Sequence, residues 1–123
     1  MSAPAQVFAA TLLASLAKAG VRNFYLAPGA RSQALAIAAG QLAQANIINL
    51  HVRLDERGMA FQALGAALAS GEPSVLITTS GTAVANLHPA VLEANHSGVP
   101  LILLTADRPD ELRGVGANQT TTQ

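Results

Sequence analysis

Four short apolar runs recur along this chain, and a longer segment with helical spacing separates each run from the next. The runs lie at residues 23–27, 47–52, 74–79 and 100–105. They lack the apolar–polar alternation of half-exposed strands, which predicts strands of a parallel sheet covered on both faces. The segments before and between them predict helices near residues 5–19, 33–43, 56–70 and 83–95.

This alternation predicts an α/β fold. Right-handed crossovers place helices on both faces of a parallel sheet, so we expect a three-layer α/β/α, doubly wound arrangement. The chain has 123 residues, half of them apolar, which is enough for one domain with a core.

Local residues predict where the helices begin and end. Ser32 and Asp55 are expected N-caps, Gly20 and Gly71 are expected stops, and Pro89 is expected in the first turns of its helix or at a kink. The expected apolar stripes of the four helices are Phe8, Leu12, Leu13 and Leu16; Leu35, Ala38, Ala39 and Leu42; Phe61, Leu64 and Leu68; and Val84, Leu87, Val91 and Leu92.

The loops that follow the strands hold most of the unusual polar residues. They occupy residues 28–31, 53–56, 79–82 and 106–109 and meet at the carboxyl edge of the predicted sheet, where α/β folds bind ligands. Arg31 and Arg108 stand at strand ends, where a guanidinium fork suits a carboxylate. Ordinary surface charge for the arginines, and helix capping for Asp55 and Glu56, are the alternatives.

Composition removes several classes of function. A net charge of zero gives no electrostatic reason for nucleic acid or an anionic membrane as the main partner. The absence of cysteine excludes disulfides, thiolate metal sites and a cysteine nucleophile. The apolar stretch at residues 7–16 is too short to span a bilayer and lacks the flanks of a signal peptide, so we expect a soluble, cytoplasmic protein.

Sequence motifs for other chemistries are missing. No P-loop occurs, Gly114-Val115-Gly116 lacks the third glycine of a dinucleotide fingerprint, and the three histidines are scattered. Ser80 is not in a nucleophile elbow. From the residues alone, we infer an α/β domain whose polar, arginine-containing edge suits an acidic small molecule.

Two segments resemble the pyrimidine-binding domain of thiamine-diphosphate enzymes. One is Leu54-Asp55-Glu56-Arg57-Gly58 with the alanine-rich helix after it; the other begins Thr79-Ser80-Gly81-Thr82 and reaches Asn86. Three further pieces narrow the resemblance to the 2-succinyl-5-enolpyruvyl-6-hydroxy-3-cyclohexene-1-carboxylate (SEPHCHC) synthase family of menaquinone biosynthesis. These pieces are Ala27-Pro28-Gly29-Ala30-Arg31-Ser32, Leu104-Thr105-Ala106-Asp107-Arg108-Pro109 and Gly116-Ala117-Asn118-Gln119.

The resemblance implies a reaction and a role for each site residue. The family decarboxylates 2-oxoglutarate on thiamine diphosphate and adds the resulting carbanion to isochorismate. Glu56 would be catalytic, bonding the pyrimidine ring nitrogen and favouring the imino tautomer that removes the thiazolium proton. The other cofactor-binding residues would be Pro28, Gly29, Ser80, Gly81, Thr82 and Asn86. The substrate-binding residues would be Arg31, Ser32, Arg108, Asn118 and Gln119.

The chain also departs from the family pattern. The family usually has serine where this chain has Ala30, which puts one substrate contact in doubt. The Gly-Asp-Gly…Asn segment that binds diphosphate and Mg²⁺ is absent, so no metal ligand is expected here. The family domain has two further strands, so we expect a truncated pyrimidine-binding domain with strand order 2-1-3-4 and one exposed edge. We therefore expect residues 1–123 to be an N-terminal piece of a longer, homo-oligomeric enzyme, and inactive alone.

Two other readings remain open at this point. Another thiamine-diphosphate decarboxylase, such as an acetolactate-type synthase, would share the Glu56 chemistry but should lack the Ala-Asp-Arg-Pro and Gly-Ala-Asn-Gln segments. A non-catalytic α/β module that binds a small acid or mediates oligomerisation is compatible with the bulk features.

Overall fold

Four parallel strands form one sheet in the computed structural model, which describes residues 3–117 of the chain. They are β1 (Asn23–Leu26), β2 (Asn49–Val52), β3 (Ser74–Thr78) and β4 (Leu101–Thr105), in the order β2-β1-β3-β4. The predicted strand order and the predicted parallel sheet are both confirmed. All five residues of β3 are buried, because β3 pairs with β1 on one side and β4 on the other.

Five helices cover the two faces of this sheet within the described residues. They are α1 (Ala3–Lys18), α2 (Gln33–Gln44), α3 (Glu56–Ser70), α4 (Thr82–Ala85) and α5 (His88–Ser97), with short 3-10 turns at Ala30–Ser32 and Asp110–Leu112. One apolar cluster joins α1 and α2 to the sheet, and a second joins α3 and α5 to the opposite face. The three-layer α/β/α fold is therefore confirmed. No helix in this part of the chain combines the length and the apolar content needed to cross a bilayer.

The prediction of a single helix at residues 83–95 is wrong, because two helices, α4 and α5, occupy this segment. Pro89 is the second residue of α5. Proline has no N–H group, so in the middle of a continuous helix one backbone hydrogen bond would be lost. In the first turn of a new helix no such bond is made, so proline is tolerated there. The break at Asn86 and Leu87 is the consequence.

The expected apolar stripes match the buried faces of the helices only in part: Leu13 of α1 is buried as expected, whereas Leu92 of α5 is 45% exposed. Helix α1 buries Ala9, Leu13 and Ala17 and leaves Phe8 67% exposed. Helix α3 buries Met59 and three alanines, and both Phe61 and Leu68 lie exposed. Small side chains let a helix approach the sheet closely. Where nearly every position is apolar, spacing alone cannot identify the packed face.

One of the two predicted N-caps forms. The carboxylate of Asp55 accepts a hydrogen bond from the Gly58 N–H at 2.6 Å, as expected at the start of α3. Ser32 occupies the cap position of α2 but makes no cap bond. Its hydroxyl donates instead to the Gly29 carbonyl oxygen at 3.1 Å, because the preceding residues already turn as a 3-10 helix. The capping role expected of the Ser32 side chain is therefore wrong.

Gly29 fills a place where no side chain fits. A Cβ atom there would lie 2.4 Å from Thr79 Cβ and 2.6 Å from its methyl group, whereas a Cβ atom on Gly40, within α2, would meet nothing within 4 Å. The loop after β1 thus rests directly on the residue that follows β3.

We expect the substitutions Gly29→Ala and Gly40→Ala to change stability in opposite directions. Gly29→Ala should lower the free energy of unfolding by about 1–3 kcal/mol, because it overpacks a close contact. Gly40→Ala should raise it by about 0.5–1 kcal/mol, because alanine restricts the unfolded chain and favours helix. Urea denaturation of both variants measures the difference. Equal effects of one sign would contradict the close approach of Gly29 and Thr79.

Candidate functional site

The carboxyl ends of all four strands lie at one level. Just after the strands end, one further backbone hydrogen bond joins each pair of neighbouring strands. These bonds run from Ala27 N–H to the Ile77 carbonyl (3.0 Å), from Arg53 N–H to the Leu26 carbonyl (2.9 Å) and from Ala106 N–H to the Thr78 carbonyl (3.0 Å). The loops after β2, β1, β3 and β4 therefore leave the same edge in that order. Three strand spacings separate the outer two loops, a width of about 14 Å.

The two carboxylates at the end of β2 have different roles. Asp55 caps α3, and its carboxylate is occupied by the Gly58 N–H. Glu56 is the first residue of α3 and is partly exposed, and it forms no hydrogen bond or ion pair with any residue of the described chain. Capping thus accounts for Asp55 and leaves the Glu56 carboxylate at the edge without a partner among the described residues.

The loop after β1 is held by its own backbone. Ser32 is buried, and both its N–H and its hydroxyl donate to the Gly29 carbonyl. Pro28 and Ala30 are exposed beside it, and Arg31 is half-buried. Together with Gln33 and Ala36, the exposed part of this loop lines a shallow depression of about 560 Å³. Because the Ser32 hydroxyl is already hydrogen-bonded inside the loop, Ser32 stabilises the shape of the loop after β1.

The loop after β3 holds a buried hydroxyl without a partner. Thr79 and Ser80 are each 3% exposed, and the hydroxyl oxygen of Thr79 has no hydrogen-bond partner among residues 3–117. Gly81 has φ +74°, a conformation that favours glycine, and its carbonyl accepts the first bonds of α4. Thr82 begins α4 and Asn86 follows its end, both exposed. The Thr79 hydroxyl thus lies close to Gly81 at the carboxyl edge of the sheet, unpaired within the described chain. Buried polar groups are normally hydrogen-bonded, so this arrangement fits a site where a ligand supplies the partner.

Arg108, after β4, is buried and points back toward the β3 loop. Its guanidinium donates to the Ser80 hydroxyl at 3.0 Å and to the Ala117 carbonyl at 3.4 Å, and lies 3.6 Å from an Asp107 carboxylate oxygen. The structure thus joins Ser80, expected on the cofactor side, to Arg108, expected on the substrate side. Asn118 and Gln119, the remaining predicted substrate residues, lie outside the described residues.

Sequence reasoning missed the contribution of Asp107. The Arg108 backbone N–H, aided by the Arg113 and Arg108 charges, holds the pKa of this carboxyl below its usual range, against partial burial that raises it. Asp107 lies in the Ala-Asp-Arg-Pro motif, but the spacing of residues does not show that its carboxylate contacts both Arg108 and Arg113. No three histidine, aspartate or glutamate side chains gather as metal ligands within residues 3–117.

An aromatic pair also escaped prediction. Tyr25 of β1 stacks on its register partner His51 of β2, with ring centroids 4.7 Å apart and planes at 19°. Burial raises the pKa of the Tyr25 hydroxyl, and the Arg53 charge opposes this. The pair becomes visible only once the strand register is known, since the two residues lie far apart in sequence.

Comparison with known proteins agrees with this geometry. Residues 7–123 match the family model described as "Thiamine pyrophosphate enzyme, N-terminal TPP binding domain". The chain is 60% identical over 120 residues to the SEPHCHC synthase of Leifsonia xyli subsp. xyli, covering 98% of this chain and 20% of that protein.

Two further relatives carry the same name. The SEPHCHC synthase of Clavibacter michiganensis subsp. michiganensis is 58% identical over 94% of this chain and 20% of its own length. That of Kineococcus radiotolerans is 56% identical over 95% of this chain and 21% of its own length. The chain spans about a fifth of the length of the curated relatives it matches. By its fold and by the match over most of its length, this chain belongs to the thiamine pyrophosphate enzyme family and corresponds to the N-terminal TPP binding domain.

Proposed function

We propose that this chain is the pyrimidine-binding part of a thiamine-diphosphate-dependent SEPHCHC synthase. The full-length protein would decarboxylate 2-oxoglutarate and join the remaining four-carbon unit to isochorismate, as a transferase of menaquinone biosynthesis. The observation that carries the proposal is the position of the Glu56 carboxylate and its lack of a partner among the described residues. This carboxylate lies at the ligand-binding edge and neither caps its helix nor pairs with any described residue, in a chain 60% identical to a protein of that name.

Glu56 would act on the aminopyrimidine ring of the cofactor. Glu56 begins α3 at the carboxyl edge of the sheet, and its carboxylate has no partner among the described residues, so it would be available to the ring nitrogen. A carboxylate there can hold a proton at that nitrogen and so select the ring tautomer. When bound, thiamine diphosphate supplies the electron sink for decarboxylation of a 2-oxo acid.

The loops after β1 and β3 would form the walls that receive the ring. Gly29 brings backbone directly against Thr79, and the Thr79 hydroxyl is buried without a partner in the described chain. Pro28 and Gly29 on one side, and Ser80, Gly81, Thr82 and Asn86 on the other, would contact the cofactor. The diphosphate and Mg²⁺ would be held by another part of the full-length protein, since residues 3–117 gather no metal-ligating cluster.

The arginines would serve the acidic substrates. Isochorismate and 2-oxoglutarate both carry carboxylates, for which the guanidinium fork is suited. Arg31, Arg108, Asn118 and Gln119 would surround isochorismate or the product, and Ser32 would shape the loop that carries Arg31. Ala30 offers a methyl group where relatives of this type usually have a hydroxyl, so neighbouring polar groups would bind that part of the substrate.

We also propose that the full-length protein is a cytoplasmic homo-oligomer that associates through the outer face of α3. From Gly58 to Ser70 the sequence of this helix contains no charged residue, and its exposed side carries Phe61, Gly65 and Leu68. Gly65 has open space around it, which permits another helix to approach closely. An uncharged face can meet a copy of itself without like-charge repulsion. Glu56 begins the same helix, so association there would bring a second copy next to the site.

The substitution Glu56→Gln in the full-length protein should abolish most of the turnover. Glutamine keeps the shape but cannot hold the proton, so we expect kcat to fall by about 10²–10⁴-fold. Formation of SEPHCHC from 2-oxoglutarate and isochorismate, with thiamine diphosphate and Mg²⁺, measures the change.

Asp55→Asn is the matched control for this substitution. It neutralises the adjacent carboxylate, but asparagine caps a helix as well as aspartate, so kcat should change by less than about threefold. Full turnover in Glu56→Gln would refute the role of Glu56. Cofactor binding without turnover in the wild type would point to another thiamine-diphosphate reaction.

The substitution Leu68→Glu should weaken the proposed association. Leu68 is 66% exposed on α3 and Val7 is 65% exposed on α1, so Val7→Glu is a control of equal exposure. A buried, unpaired carboxylate costs several kcal/mol, so Leu68→Glu should raise the dissociation constant by about 100-fold or more. Sedimentation of the full-length variants measures this constant. An unchanged constant in Leu68→Glu would exclude this face as the interface.

A further inference from the structure

The carboxylate of Asp107 is shared between two arginines in different environments. One oxygen accepts the backbone N–H of Arg108 at 2.8 Å and lies 3.6 Å from its side-chain Nε. The other accepts from the Arg113 guanidinium at 2.8 Å. The Arg108 side chain is 3% exposed, whereas that of Arg113 is 57% exposed. Asp107 therefore links a buried cation to a surface cation.

Arg108 in turn connects three segments at the edge of the sheet. It follows β4, donates to the Ser80 hydroxyl in the loop after β3, and donates to the Ala117 carbonyl, next to the predicted substrate residue Asn118. A buried guanidinium that loses a neighbouring carboxylate is left with less compensation of its charge, so it reorients or draws in water. Asp107 supplies such a carboxylate in the described chain, since one of its oxygens lies 3.6 Å from Arg108 Nε.

Asp110 provides the comparison within the same turn. It also pairs with Arg113, at 3.2 Å, but it is 93% exposed and forms no ion pair with Arg108. An exposed pair of this kind contributes little to stability or geometry. Asp107 and Asp110 are thus two aspartates that share one arginine, and Asp107 is the one in contact with Arg108.

We propose that Asp107 is a positioning residue for the reaction proposed above, on which this inference rests. It holds the Arg108 guanidinium in the orientation that faces the substrate carboxylate and supports the Ser80 loop. Arg113 occupies the second oxygen of Asp107 at 2.8 Å, which favours the orientation in which the first oxygen faces Arg108. The pair fastens the 3-10 turn at Asp110–Leu112 to the end of β4.

The substitution Asp107→Asn, compared with Asp110→Asn, tests this role in the full-length enzyme. Asparagine retains one oxygen for the Arg108 N–H but loses the charge and the acceptor for Arg113. We expect the KM for isochorismate to rise by about tenfold or more, with the KM for 2-oxoglutarate and kcat changed by less than about threefold. Asp110→Asn should leave all three values within about twofold of the wild type.

A second readout does not depend on turnover. Hydrogen–deuterium exchange of the peptide amides at residues 80–83 should be about fivefold faster or more in Asp107→Asn, because the Ser80 loop loses its support, and unchanged in Asp110→Asn. If the wild type fails to form SEPHCHC, the proposed function fails and the exchange measurement alone decides the role of Asp107.

Three results would overturn the proposal. The first is equal kinetic effects of the two substitutions. The second is a change in kcat alone, which would indicate a general structural defect. The third is unchanged exchange at residues 80–83 in Asp107→Asn.

Discussion

The parallel pairing of β3 with a neighbour on each side is the constraint on which the rest of this structure depends. Because β1, β3 and β4 run the same way in close register, the loops that follow them leave at one level. The pairing also buries three hydroxyl groups of this region, on Ser74, Thr78 and Thr79, that find no partner among residues 3–117. Unpaired buried hydroxyls are costly. Only the last of these follows the strand, at the edge where a ligand can satisfy it.

Direct contacts between loops make this edge one unit. Gly29 lies against Thr79, which couples the loop after β1 to that after β3. Arg108 donates to Ser80, which couples the loop after β3 to that after β4. Residues proposed to contact the cofactor and residues proposed to contact the substrate are therefore in direct contact with one another. A substitution in one loop should therefore shift the neighbouring loop, because the contacts between them are buried and closely packed.

Several large apolar side chains lie on the surface of the described chain. They include Phe61 and Leu68 on the uncharged outer face of α3, and Val7 and Phe8 on α1. A second apolar groove of about 390 Å³ lies between α1, α2 and β4. The curated relatives, of which this chain spans about a fifth, contain further chain that can cover such surfaces.

The sequence by itself determined the strands, their order once a family resemblance was recognised, the Asp55 cap and the loops that hold the polar residues. These follow from local patterns: apolar run length, capping chemistry and the geometry of parallel sheets. The identity of Glu56 as the candidate acid also came from its motif, and the structure added that it has no competing partner in the described chain.

Tertiary structure decided everything that depends on distance between remote segments. Spacing could not select the buried face of α3, because Ala60 and Ala63 pack closer to the sheet than the larger Phe61 and Leu68. Nor could it show that Ser32 bonds inside its own loop, or that Asp107 divides its oxygens between Arg108 and Arg113. Such contacts arise where separate segments are brought together, and their energy depends on burial and orientation, which a linear pattern does not contain.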